Sequence, residues 1–219
     1  MASSMSNSSI GIETELTARM REGNKDALAT VFSDYRERLR RIIQFRIDYR
    51  IAARISDSDV LQETYIAAAK RLPHFSTQTE MSAFLWLRLL AKQQLVDIHR
   101  QHLKAEKRDA RKELSLQPNQ ASAQTSMALA VQLVGSITAA SEVVAKAEAI
   151  ALLEAALDEM NDIDREVIAL RHFEELTNIE TASVLKLQPS AASKRYLRAM
   201  SRLSQLMSKF EDSQNGDEA

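Results

Sequence analysis

The chain contains no cysteine, which rules out disulfides and thiol catalysis and leaves any zinc site to four scattered histidines. His74, His99, His102 and His172 show no ligand spacing, so neither a metal nor another cofactor is expected. Glycine and proline are nearly as scarce, four and three in 219 residues, while Ala, Leu, Arg, Glu and Gln abound. Helix interiors exclude the first pair and favour the others, so the expected fold is all-α, without a sheet. There is no Gly-rich phosphate loop, no pair of acids in a pocket pattern and no nucleophile with a base partner, so the chain does not read as an enzyme. No apolar run approaches the roughly 20 residues that span a bilayer, and the N-terminal MASSMSNSSIG lacks an apolar export core. A cytoplasmic protein is the expectation. The net charge of −1 hides an asymmetry, because the bases crowd into two segments while the acids gather elsewhere.

What the chain does contain is a helix-turn-helix pattern from Leu176 to Met207. Thr177 with Glu180 forms a capping box, so a first helix should start at Asn178, with Ala182, Val184 and Leu185 as packing positions. Leu187-Gln188-Pro189 breaks it, since proline suits only a first helical turn. The second helix carries Lys194, Arg195, Arg198, Arg202 and Lys209, with no acid from Pro189 to Lys209. Its other side, Ala192, Tyr196, Ala199, Leu203 and Leu206, repeats every three or four residues and can be buried. One reading is a solvated helix on a bundle. The other is major-groove docking, which places Ser190, Ala191, Ser193, Lys194 and Arg198 nearest DNA. Lys186 stands at a turn where glycine would adopt positive φ more easily.

Earlier in the chain, residues 1–11 are Ser-rich, and a short helix from about Glu13 to Glu22 ends at Gly23. Asn24 caps a helix from about Lys25 to Tyr49, whose stripe is Leu28, Val31, Phe32, Tyr35, Leu39, Ile42 and Ile43. Its arginines at 36, 38, 40, 41 and 46 lie off that stripe, on a face either solvated or in contact with a partner. Ser56 to Asp59 caps the next helix, which should stop before Pro73. Asp59, Gln62 and Glu63 cluster on it and suggest a protein-binding surface, or an ordinary acidic first turn against the helix dipole. His74 to Glu80 reads as a loop. The helix after it, from about Glu80 past His102, has a broad apolar belt that includes Trp86, Val96 and Ile98. From Arg88 to Lys112 eight bases stand against three acids, a local balance of +5. Residues 113–140 form a linker by composition, with a helical turn near Met127 to Val134, and an Ala-rich helix to about Met160 and a shorter one over Ile163 to Phe173 follow.

In this order the parts resemble a sigma factor of bacterial RNA polymerase, of the sigma-70 family and the small extracytoplasmic-function (ECF) type. DSDVLQETY and WLRLLAKQQLVDIHR resemble the first domain of that family, and IDREVIALRHFEELTNIETASVLKLQPSAASKRYLRAMSRL the second. Gln93 stands where asparagine is usual and Lys186 replaces the usual turn glycine. The resemblance implies two small helical domains joined by a flexible linker, the C-terminal one a helix-turn-helix. The boundaries are a tail and short helix over 1–23, a first domain over 24–112, the linker over 113–140, a second domain over 141–210 and an acidic tail over 211–219. It further implies that Asp59, Gln62 and Glu63 bind the clamp helices of the polymerase largest subunit, with the flap region as a second polymerase contact. His74, Phe75, Ser76, Lys92, Arg100 and Lys104 would meet the minus-ten element, and Ser190, Ala191, Ser193, Lys194, Arg195 and Arg198 the minus-thirty-five element. RNA polymerase core and promoter DNA would be the partners, and an anti-sigma factor is left open. With aromatics at only 5%, strand melting should be modest and promoter choice strict. The alternative is a stand-alone helix-turn-helix regulator that needs no polymerase.

Overall fold

A computed structural model describes residues 13–47, 55–75, 81–109, 126, 129–131 and 143–216; side chains at 102–109, 143–146 and 210–216 lie outside the description. Every regular element among the described residues is helical. The chain divides into two compact units, Met1–Lys112 and Glu113–Ala219.

In the first unit, α1 covers residues 13–21 and buries Met20 completely. Gly23 then takes φ +81, a left-handed value that glycine adopts without a Cβ clash. Asn24 caps α2 (Lys25–Arg46), its Oδ1 accepting from the Ala27 N–H at 2.9 Å. The helix stops at Arg46 rather than Tyr49, because Ile47 turns extended while its N–H still closes on the Ile43 carbonyl. Ser56 Oγ accepts the Ser58 N–H at the start of α3 (Asp57–Phe75), and Ser82 Oγ does the same for Leu85 at the start of α4 (Ala83–Asp109). These three helices pack on one another. Aromatic pairs join them: Phe32 on Tyr65 at 5.1 Å, Tyr35 on Phe84 at 4.9 Å and Phe75 on Trp86 at 4.7 Å.

At Pro73 and Val96 the structure departs from the sequence expectation. The helix predicted to end before Pro73 runs on to Phe75. Pro73 has no N–H to offer the Ala69 carbonyl four residues back, and an interior proline costs about 3 kcal/mol. Burying Phe75 against Trp86 offsets roughly 1.5–3 kcal/mol of it. Val96, expected in the apolar belt, is 40% exposed, because it lies one turn from Lys92 and one turn from Arg100 on the outer face.

In the second unit, α5 (Val143–Asp158), α6 (Asp162–His172) and α7 (Asn178–Leu185) support α8 (Pro189–Gly216), which touches all three or their ends. The last helix runs to Gly216, so residues 211–216 of the expected tail are helical. Within the stretch read as a linker, residues 126 and 129–131 are helical, and Ser126, Leu129 and Ala130 are fully buried. The α6 start is capped by Asn161, and the Thr177–Glu180 capping box has both of its reciprocal bonds. Asn178 Nδ2 donates to the Pro189 carbonyl at 2.8 Å, fixing the start of α7 to the start of α8. Between those helices Lys186 adopts φ 55 and ψ 44, with the Leu187 N–H returning to the Ala182 carbonyl at 2.9 Å.

A left-handed non-glycine residue carries a cost of roughly 1–2 kcal/mol. Lys186→Gly should therefore stabilise the second unit by about 1 kcal/mol, allowing for the greater freedom of glycine in the unfolded chain. Thermal unfolding checks this; an unchanged or lower Tm would mean that the turn is not strained.

Candidate functional site

The charged residues of the second unit fall into two groups. One group braces the fold. Arg165, 6% exposed, donates through Nη1 to the Leu157 and Asp158 carbonyls at 2.8 and 3.3 Å, and pairs with Asp162. It thereby adds a side-chain donor to carbonyls at the end of α5, where Leu157 also accepts from the Met160 N–H at 3.1 Å. Arg171 donates to the Leu176 carbonyl at 2.7 Å and lies 5.6 Å from the Tyr196 ring centroid, closing the turn from α6 to α7. Arg195 Nη1 meets Asp164 Oδ1 at 2.8 Å and joins α8 to α6. Arg195, expected at DNA, makes this ion pair with its side chain 36% exposed. It sits three residues after buried Ala192 and four before buried Ala199, so it is turned toward the packed side.

The second group faces outward. Ser190, Ala191, Ser193, Lys194, Arg198 and Arg202 are exposed on α8, with Ala192, Ala199, Leu203 and Leu206 buried behind them. This face contains one apolar side chain that periodicity did not single out, Leu197, 63% exposed between Lys194 and Arg198. Its spacing of three and four from Lys194 and Ser193, rather than from the apolar stripe, is the signal that would have found it.

The first unit presents a face of different character. Asp59, Gln62 and Glu63 are exposed together on the first two turns of α3, with Val60, Leu61 and Thr64 buried beneath. Asp57, by contrast, accepts from Gln44 at 2.6 Å and lies 3.4 Å from Arg40, which ties α3 to α2. Beside Gln62 a cleft of about 450 Å³ opens between α2 and α3, lined by Phe32, Ser33, Arg36, Leu61 and Tyr65.

Of the residues expected at the minus-ten element, His74, Lys92 and Arg100 are exposed. Phe75 is fully buried against Trp86 and has no surface to offer a base, so it moves from the expected site to the core. Ser76 lies outside the described residues, and Lys104 belongs to α4 with its side chain undescribed. Arg88 is 5% exposed and Arg38 covers the Phe84 ring at 3.7 Å, so part of the basic count on these helices serves packing. Gln93 accepts a hydrogen bond from Arg71, a link between α4 and α3 that the sequence reading missed. Among the described residues no group of His, Asp or Glu could hold a metal, and no helix is long and apolar enough to cross a membrane.

Comparison with known proteins gives two findings. A family model described as ECF sigma factor matches residues 12–209. Among solved structures the chain is similar to CnrH, solved in complex with the cytosolic domain of CnrY, at 21% identity and a TM-score of 0.50. That match covers 90% of this chain and 98% of CnrH, and it speaks for the fold. No curated protein matches.

The division between bracing and outward charges can be measured. Arg195→Ala should destabilise the second unit by about 1 kcal/mol, the partly exposed pair being screened by solvent, whereas Arg198→Ala should stay within about 0.5 kcal/mol of the parent. Equal Tm losses would contradict that sorting. His172 gives a further test. Its Nε2 lies 2.8 Å from the Tyr196 hydroxyl, and burial, then the Arg171 charge, hold it below its ordinary value of 6.5. The unfolded chain therefore takes up the proton first, and stability should fall as pH drops below 6.5 toward the lowered folded value. His172→Gln should flatten that part of a plot of Tm against pH; an unchanged slope would assign it to other groups.

Proposed function

The chain belongs to the ECF sigma factors, which act in transcription initiation, and from that footing we propose that it binds core RNA polymerase and directs it to promoters by reading two DNA elements. The observation that carries this reading is the pair of unlike exposed faces on separate units: acid and amide at Asp59, Gln62 and Glu63, cations at Lys194 and Arg198. A core enzyme that binds DNA without sequence preference needs a detachable subunit to supply base readout. The α3 face docks on the polymerase clamp helices, where like-charge repulsion from DNA is no handicap. A second polymerase contact, at the flap, belongs to the same reading. The N-terminal half of α8 enters the major groove of the minus-thirty-five element, with Ser190, Ala191, Ser193, Lys194 and Arg198 nearest the bases and phosphates.

His74, Lys92 and Arg100 meet the minus-ten element as it opens. Separating the strands costs on the order of 1.4 kcal/mol per stacked step, and captured bases with backbone contacts must offset it. The mechanism is binding and positioning, without a covalent step, and it operates in the cytoplasm beside the chromosome. A restraining anti-sigma partner completes the proposal; the fold relative CnrH is itself solved with a partner, the cytosolic domain of CnrY.

Reversing charge with Asp59→Lys and Glu63→Lys should abolish co-purification with core polymerase while leaving the fold intact. If polymerase stays bound, docking lies elsewhere, and a stand-alone regulator becomes the better account. In promoter binding by holoenzyme, Arg198→Ala should flatten the log-log dependence on salt by about 0.9, the value of one phosphate contact. An unchanged slope would remove Arg198 from the interface.

A further inference from the structure

Arg71, near the end of α3, donates to the side-chain oxygen of Gln93 on α4. A guanidinium carries only donors, so it can engage only the oxygen of a primary amide, and the orientation of Gln93 follows from that chemistry. The amide nitrogen and its two N–H donors are turned away from Arg71. A glutamine without such a partner can offer either end to a ligand. This one has its acceptor end occupied.

The surroundings suit a base better than a phosphate. Gln93 shares the outer face of α4 with Val96, Asp97 and Arg100, three, four and seven residues on, and exposed Lys92 precedes it. Lys92 and Arg100 alone would suit the DNA backbone. Asp97 on the same face opposes a purely anionic partner, and Val96, 40% exposed, offers an apolar surface. Fixed donors, an acceptor and an apolar patch within two turns are the elements of base-edge recognition.

Resting on the proposed function, we infer that Arg71 is a positioning residue that fixes Gln93 as a donor-only reader of a keto base in the opened minus-ten strand. Guanine O6 and thymine O4 accept hydrogen bonds at the edge where adenine and cytosine carry amino donors. The Gln93 donors therefore satisfy O6 and O4 of the first two bases and meet the exocyclic amino groups that the last two carry at the same place donor to donor. Arg71 contributes to specificity without touching DNA, by removing the alternative amide orientation.

The test uses holoenzyme reconstituted with core polymerase, transcribing a library of promoter fragments with randomised minus-ten positions. The parent protein should favour keto over amino bases at one minus-ten position by about tenfold. Arg71→Glu, which accepts from the amide nitrogen and turns the oxygen outward, should reverse that preference at the same position and leave the minus-thirty-five preferences unchanged. Arg71→Lys, still a donor, should keep the parent profile, and Gln93→Leu should erase the preference there. Arg71→Glu with an unchanged base profile, or with output lowered equally on every fragment, would reduce the pair to a brace between helices and overturn the inference. Absence of defined starts with the parent protein itself would instead overturn the functional reading beneath it.

Discussion

The orientation of α8 depends on a combination of burial and one ion pair. Leu203 and Leu206, with Ala192 and Ala199, are buried along one side, and each leucine contributes roughly 1.5–3 kcal/mol to holding the helix down. The Asp164–Arg195 pair, 13% and 36% exposed, is partly screened by solvent and contributes less, about 1 kcal/mol or below. Each apolar contact is nondirectional, whereas a 2.8 Å charge-assisted hydrogen bond specifies an angle. Burial of that stripe keeps α8 attached and sets its rotation, and the pair adds one directed contact that agrees with it. From that rotation follows which cations remain outside, Lys194, Arg198 and Arg202.

The same economy of charge recurs through the second unit. Arg165 completes the end of α5, and Arg171 closes the turn before α7. Arginine suits these tasks because its planar fork holds several donors in fixed directions and stays charged. Counting bases along the chain therefore overstates the surface field. In the first unit Arg38 on α2 and Arg88 on α4 are likewise committed to packing, and Arg88 is one of the eight bases behind the local balance of +5 from Arg88 to Lys112.

Elements whose cause is local were legible in the sequence. Gly23 with Asn24, and Thr177 with Glu180, form the expected caps, since each depends on residues within one turn. The unusual Lys186 was legible for the same reason, and it does adopt the left-handed conformation. Elements decided by distant partners were not. Arg195 looked like its neighbours until Asp164, 31 residues earlier, claimed it. Pro73 looked like a helix stop until the burial of Phe75 on Trp86 carried the helix past it, and the same burial took Phe75 out of the candidate interface. Arg71 and Gln93, 22 residues apart, likewise reveal their relation only when α3 and α4 are packed. For the candidate site, then, periodicity identified the faces, and tertiary partners decided which residues on them are free to serve.

The central claim is that one helical unit holds a polymerase while the other selects where it starts. Run-off transcription with purified core polymerase on genomic DNA measures this most directly. The account predicts discrete start sites that appear only when the protein is added and that share two elements upstream. Transcripts without defined starts, or a start pattern identical with and without the protein, would contradict it.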